Sequence, residues 1–283
     1  MLYIRLLLPL SLLMLLGCRQ NADTPPAAPT DHMVLEEPVT EPAAPEATDK
    51  TAPAHTLLKV DTTDLAPEPD TPMKLLLEGS YHKNEVWGGA DEMKWLGLYH
   101  ESTGYVLRPA ELKISTVRDP VADGDSLLSG RQVTAADADA MFFVAGLQHN
   151  EYGEVDTAAF SRNTVPANTT LIYTFKNKAY KIKAYGDSVQ TDSAGYRYKN
   201  YGWKVEGSRN GRQIEQTLVE DQHFQDSIYL LLWAGDLDRD GIPDLLLDIS
   251  NHFNISRYAL YLSSMADPWK LYKKVAEFKA VVK

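Results

Sequence analysis

The chain has one cysteine, Cys18, in 283 residues, so no internal disulfide can hold it together. Excess positive charge is also missing. Lys and Arg number 28 against 39 Asp and Glu, a net −11. A nucleic-acid binder needs a basic footprint to displace counterions from phosphates, so no nucleic-acid partner is expected. Neither Gly-x-x-x-x-Gly-Lys nor Gly-x-Gly-x-x-Gly occurs, so no phosphate cradle is written in the chain. The apolar run Leu6 to Leu16 is broken by Pro9 and Ser11. It falls short of the roughly 20 apolar residues that span a bilayer.

Residues 19–72 lack glycine, Phe, Trp and Tyr altogether, and hold ten of the sixteen prolines with 11 acidic and 3 basic residues. Such a stretch cannot bury enough apolar surface to offset its chain entropy. The expectation for 18–72 is a disordered Pro/Ala/Thr/Glu tether, with Leu57–Val60 left inside it. Extended as polyproline II it would reach roughly 160 Å, and as a relaxed coil nearer 40 Å.

The first seventeen residues read as a secretory signal, with Arg5 as the positive n-region ahead of the apolar run. It ends in Leu15-Leu16-Gly17-Cys18, which resembles the lipobox of bacterial lipoproteins. The resemblance implies a diacylglyceryl (palmitate-bearing) group on the Cys18 sulfur, cleavage after Gly17 and a membrane partner through the lipid. Each buried methylene contributes about 0.8 kcal/mol, and two or more chains anchor stably. Residue 19 is arginine, not the aspartate that signals inner-membrane retention. The expected place is therefore the cell envelope, with the outer membrane favoured over the inner.

Beyond residue 72 lie 26 of the 27 aromatic residues, and the charge falls to 24 basic against 28 acidic. Runs rich in β-branched and aromatic residues recur between Gly, Asn and Asp. Tyr180-Lys181-Ile182-Lys183-Ala184-Tyr185 alternates with period two, as a half-buried strand requires. The expected fold class is mainly β, with antiparallel sheets. Two β subdomains are expected, 73–165 and 166–283, with a seam near Asn163–Asn168. Ala135–Met141 is the best helix candidate. No repeat of fixed period is visible, which argues against a full propeller.

The sharpest motif is Asp236-Leu237-Asp238-Arg239-Asp240-Gly241-Ile242-Pro243-Asp244, with aspartates at loop positions 1, 3, 5 and 9 and glycine at 6. Alternate side chains on a curled loop converge on one point, and a hard cation such as Ca²⁺ takes six to eight oxygens at about 2.3–2.6 Å. Gly241 allows the left-handed turn, and the carbonyl of Ile242 is the natural backbone ligand. An EF-hand would need glutamate at position 12, where Leu247 stands, and helical rather than strand-like flanks. Between two strands the pattern resembles the calcium loops of FG-GAP (integrin α-chain type) and VCBS repeats, over Ile228 to Ser250. The resemblance implies that Asp244 is the last ligand. More broadly, Trp233 to Ser264 is similar to a group of uncharacterised bacterial envelope lipoproteins. The expected metal site is structural Ca²⁺ on Asp236, Asp238, Asp240, Ile242 and Asp244. Asp248 and His252 are candidates to steady those ligands from behind, against the simpler readings of a solvated carboxylate and a turn histidine.

Catalytic motifs are few. Gly124-Asp125-Ser126-Leu127 spells a GDSL-esterase block, but a loop precedes it and no histidine follows an aspartate by three residues. His100-Glu101 lacks the second histidine of a zinc-protease helix. Asp91 and Glu92, read as strand neighbours, would point apart and face solvent. Tyr173, Tyr180, Tyr185, Tyr196, Tyr198, Tyr201 and Trp203 suit a core better than a sugar-stacking face. No catalytic residue is assigned. The chain reads as a lipid-anchored module that binds an envelope protein or glycan. The alternative is a glycan-directed envelope hydrolase with a dispersed active site.

Overall fold

Alternation of buried and open side chains is clearest over residues 170–184. A computed structural model describes residues 73–82, 84–124, 127–148, 152–190, 196–223 and 227–281. The signal segment, Cys18 and the tether lie outside the described residues, as do Leu57–Val60 and the Asp125-Ser126 pair. In chain order the strands are β1 (Lys74–Leu76), β2 (Gly79–Tyr81), β3 (Trp95–Glu101), β4 (Gly104–Ala110), β5 (Leu112–Val117), β6 (Gly130–Ala135), β7 (Phe142–Ala145) and β8 (Gly153–Val155). They continue with β9 (Thr170–Phe175), β10 (Lys178–Gln190), β11 (Tyr196–Arg209), β12 (Arg212–Asp221), β13 (Leu230–Gly235), β14 (Asp244–Asp248), β15 (Ile255–Leu262) and β16 (Lys273–Val281).

Four antiparallel sheets result. Their strand orders are β1-β7-β3-β4-β8, β2-β6-β5, β12-β11-β10-β9 and β13-β14-β15-β16. The protein is mainly β, and the described residues contain no α-helix. Tyr180, Ile182 and Ala184 on β10 are buried while Lys181 and Lys183 between them are not, which fixes the face that sheet turns inward.

The β13-β16 sheet breaks the alternation because it is covered on both faces. Leu246, Leu260 and Trp233 pack into one core with Trp95, Phe142 and Phe143. Leu245, Leu247, Ala259 and Tyr261 pack into a second core with Tyr180, Tyr201 and Trp203. A strand buried on both sides needs apolar residues at successive positions, and Leu245-Leu246-Leu247 supplies them. Among the tyrosines read as core, Tyr173, Tyr180 and Tyr201 are buried with Trp203, whereas Tyr185 and Tyr198 are half-buried.

The helix expected over Ala135–Met141 does not form. Ala135 ends β6, and the following amides have other partners. Ala136 N donates to Glu111 O at 2.9 Å and Met141 N to Leu98 O at 2.8 Å. Ala140 N donates to Glu78 Oε1 at 2.8 Å. Seven residues cannot repay helix nucleation once tertiary acceptors take their donors. Asp91 and Glu92 likewise lie in a 3-10 turn, Ala90–Glu92, not on a strand. Both are exposed.

Candidate metal centre

The aspartate loop joins β13 to β14. It starts at Gly235, where a Cβ would stand 2.7 Å from the Asp156 carbonyl. Only glycine lets the 156–158 segment lie this close. There Asp236 N donates to Asp156 O and Ala158 N to Ala234 O, each at 2.9 Å. Arg239 and Gly241 then take left-handed backbone, φ 63° and 84°, and curl the loop. The loop turns its own amides onto its carboxylates. Leu237 N donates to Asp244 Oδ2 at 2.8 Å, Gly241 N to Asp236 Oδ2 at 3.0 Å, and Ile242 N to Asp240 Oδ1 at 2.9 Å.

Three of the predicted ligands come together. One carboxylate oxygen each from Asp236, Asp238 and Asp244 lies within 4.8 Å of the others. Their fractional exposures are 3%, 5% and 0%. This buried cluster can hold a metal ion. Asp240 is exposed and stands beside the cluster, its Oδ2 accepting from Ser263 Oγ at 2.7 Å. Ile242 is buried against the second core. Asp248 closes the far end of β14 and accepts from the amide and hydroxyl of Ser250. His252 pairs with Asn254 within its own turn. The structure does not bring these last two to the cluster.

Burial governs the electrostatics of the cluster. Asp236 Oδ1 and Asp238 Oδ1 are buried and have no hydrogen-bond partner. An unsatisfied buried acceptor costs its full desolvation, more so when charged. Burial drives the Asp244 carboxyl well above the usual range, and the Asp238 charge adds to this against two backbone N–H donors. Burial also raises Asp238, with Asp240 and Asp236 adding to it and the Ser264 hydroxyl opposing. A nearby positive charge would relieve both.

Four supporting residues had no signature in the sequence. Ser263 N donates to Asp244 Oδ1 at 2.8 Å, and Ser264 Oγ donates to Asp238 Oδ2. Lys176, in the β9–β10 turn, reaches Asp236 Oδ2 and Asp156 Oδ2 at 2.9 Å each. Hydrogen bonds to both carboxylates raise its ammonium above its ordinary range although burial works the other way. The Tyr180 hydroxyl is buried without a partner. Burial first, then the charges of Asp240 and Asp236, raise its pKa, which puts the phenol within the loop's electrostatic reach. A cavity of about 90 Å³ lies against Asp238 and Ser264.

A second polar constellation lies elsewhere. Buried Asp119 contacts His82 Nδ1 and accepts from Val121 N at 3.0 Å. Burial alone would raise the Asp119 carboxyl, but the His82 and backbone hydrogen bonds outweigh it and hold the group low. Compared with protein-family models, with curated proteins and with solved structures, the chain matches none.

Proposed function

We propose that the loop binds Ca²⁺ as a structural ion, in a lipid-anchored envelope protein whose β-rich part serves as a binding module. One observation carries the metal reading: two buried carboxylate oxygens, on Asp236 and Asp238, have no partner and lie in a cluster with Asp244. The donor set is all oxygen, with no histidine or cysteine, and this favours a hard cation over zinc or copper. Three buried carboxylates gather in the cluster, an excess of negative charge that a divalent ion offsets. Calcium suits the site better than magnesium because it tolerates irregular, carboxylate-rich shells. Asp244 is wholly buried and accepts from two backbone amides, and its raised proton affinity comes from burial and the neighbouring Asp238 charge.

The expected result is a calcium-dependent rise in melting temperature that a chelator reverses. At one hundred times the dissociation constant, linkage gives about 2.7 kcal/mol. For a folded part of this size that is roughly 5–10 °C. Identical melts in calcium and chelator would overturn the reading.

The anchor half of the proposal rests on Leu15-Leu16-Gly17-Cys18. Labelled palmitate is expected to enter the wild-type chain and not Cys18→Ala, which should leave the membrane fraction. Retention of label by the variant would remove the anchor. The hydrolase reading draws support from one observation, an imidazole held at Nδ1 by a buried carboxylate, which is how a catalytic base is commonly oriented. It requires turnover of aryl glycosides that disappears in His82→Ala.

A further inference from the structure

We propose that Lys176 is a built-in competitor for the cation at the aspartate loop, weakening its affinity. This rests on the reading of the loop as a cation site. The lysine comes from another sheet, sixty residues upstream of Asp236, and its Nζ lies 2.9 Å from Asp236 Oδ2. Asp236 is 3% exposed and the Lys176 side chain 43%, so solvent screens the pair from the lysine side only. The other oxygen of the same carboxylate is the one with no partner. An ion on Asp236 Oδ1 therefore shares its ligand with a resident positive charge.

The turn itself points to a role for this residue. Lys176 and Asn177 form a two-residue connection between β9 and β10, with φ 44° and 63°. Left-handed backbone at both positions suits Asn, Asp or Gly, and a lysine there is strained. Asn177 fits the turn. Lys176 does not, and it is the residue whose side chain reaches the loop. Asp156, 68% exposed, gives the ammonium a second carboxylate. Lys176 can keep that partner when a cation takes Asp236.

A competing charge has a signature that a structural contact lacks. Coulomb repulsion scales with the charge of the bound ion. Removing Lys176 must therefore tighten a trivalent ion more than a divalent one, by half as much again on a logarithmic scale. The test uses the full chain as wild type, Lys176→Asn and Lys176→Arg. Asparagine suits the turn, so loss of fold is not the expected outcome, and far-ultraviolet circular dichroism checks it. Calcium is titrated by calorimetry and terbium by its sensitised luminescence.

Lys176→Asn should bind Ca²⁺ about tenfold and Tb³⁺ about thirtyfold more tightly than wild type, with Lys176→Arg near wild type. Equal or weaker calcium binding by a folded Lys176→Asn overturns the inference and leaves the metal reading standing. Tightening without the larger terbium effect also overturns it. If wild type binds no calcium and Lys176→Asn does, the native-calcium reading fails while the lysine's role is upheld. If neither protein binds either ion, both fail.

Discussion

Asp238→Asn is expected to change sign with calcium. In chelator the variant should be more stable than wild type, by about 1 kcal/mol, because it removes a buried charge that has no counter-ion. In saturating calcium it should be less stable, by about 0.4–1.7 kcal/mol, because it forgoes the 1.4–2.7 kcal/mol or so that binding contributes between ten and one hundred times the dissociation constant and keeps only the gain it has without the ion. Asparagine keeps the size of the side chain and an oxygen for the Ser264 hydroxyl, so the two effects isolate the charge. The pH dependence follows the same logic. Asp238 and Asp244 bind protons more readily in the folded chain than at their ordinary value of 3.8. Their contribution to metal-free stability is full below that value and lost as pH rises through the folded pKa values. Calcium holds both as carboxylates and should erase this gain on acidification. Thermal melts of both proteins across pH, with and without calcium, read all four corners. A variant that is destabilised equally in calcium and chelator would show that Asp238 only braces the loop.

The parts of the site that lay open in the sequence are those whose partners are neighbours along the chain. Asp236, Asp238 and Asp244 converge because a nine-residue loop has little choice once Gly241 turns it, and the observed φ of 84° is the conformation glycine favours there. Lys176, Ser263 and Ser264 arrive from other strand ends. Nothing in their local spacing marks them, since the sheet topology decides where a turn residue's side chain finishes. The strands followed a similar rule. Tyr180 to Tyr185 shows its period plainly, whereas β6 buries only Gly130 and Val133 of its six residues and β8 is three residues long. Neither carries enough pattern to be seen. Ala135–Met141 failed for the opposite reason: alanine-rich composition favours helix, but Glu78, Leu98 and Glu111 claim its amides. His82 and Asp119 are 37 residues apart, and no spacing links them.

Leu246→Ala is expected to cost about 2–5 kcal/mol, a large part of the 5–15 kcal/mol that folded domains have in total. Leu246 is fully buried at the middle of β14, two residues after the loop's last aspartate. Its side chain packs in the core that holds Trp95. Its neighbours Leu245 and Leu247 pack in the core that holds Trp203. One backbone therefore serves both, and a cavity on one face disturbs the strand on which the other face depends. Unfolding in urea should be a single transition in wild type and variant alike, shifted to lower denaturant with the slope unchanged. Tryptophan replacements that leave either Trp95 or Trp203 as a core-specific reporter should give coincident midpoints. If the Trp95 signal moved in Leu246→Ala while the Trp203 signal stayed at its wild-type midpoint, the two cores would be independent. The loop could then stabilise only one of them. Coincident midpoints mean that an ion bound at the head of β14 stabilises both cores through a strand they share.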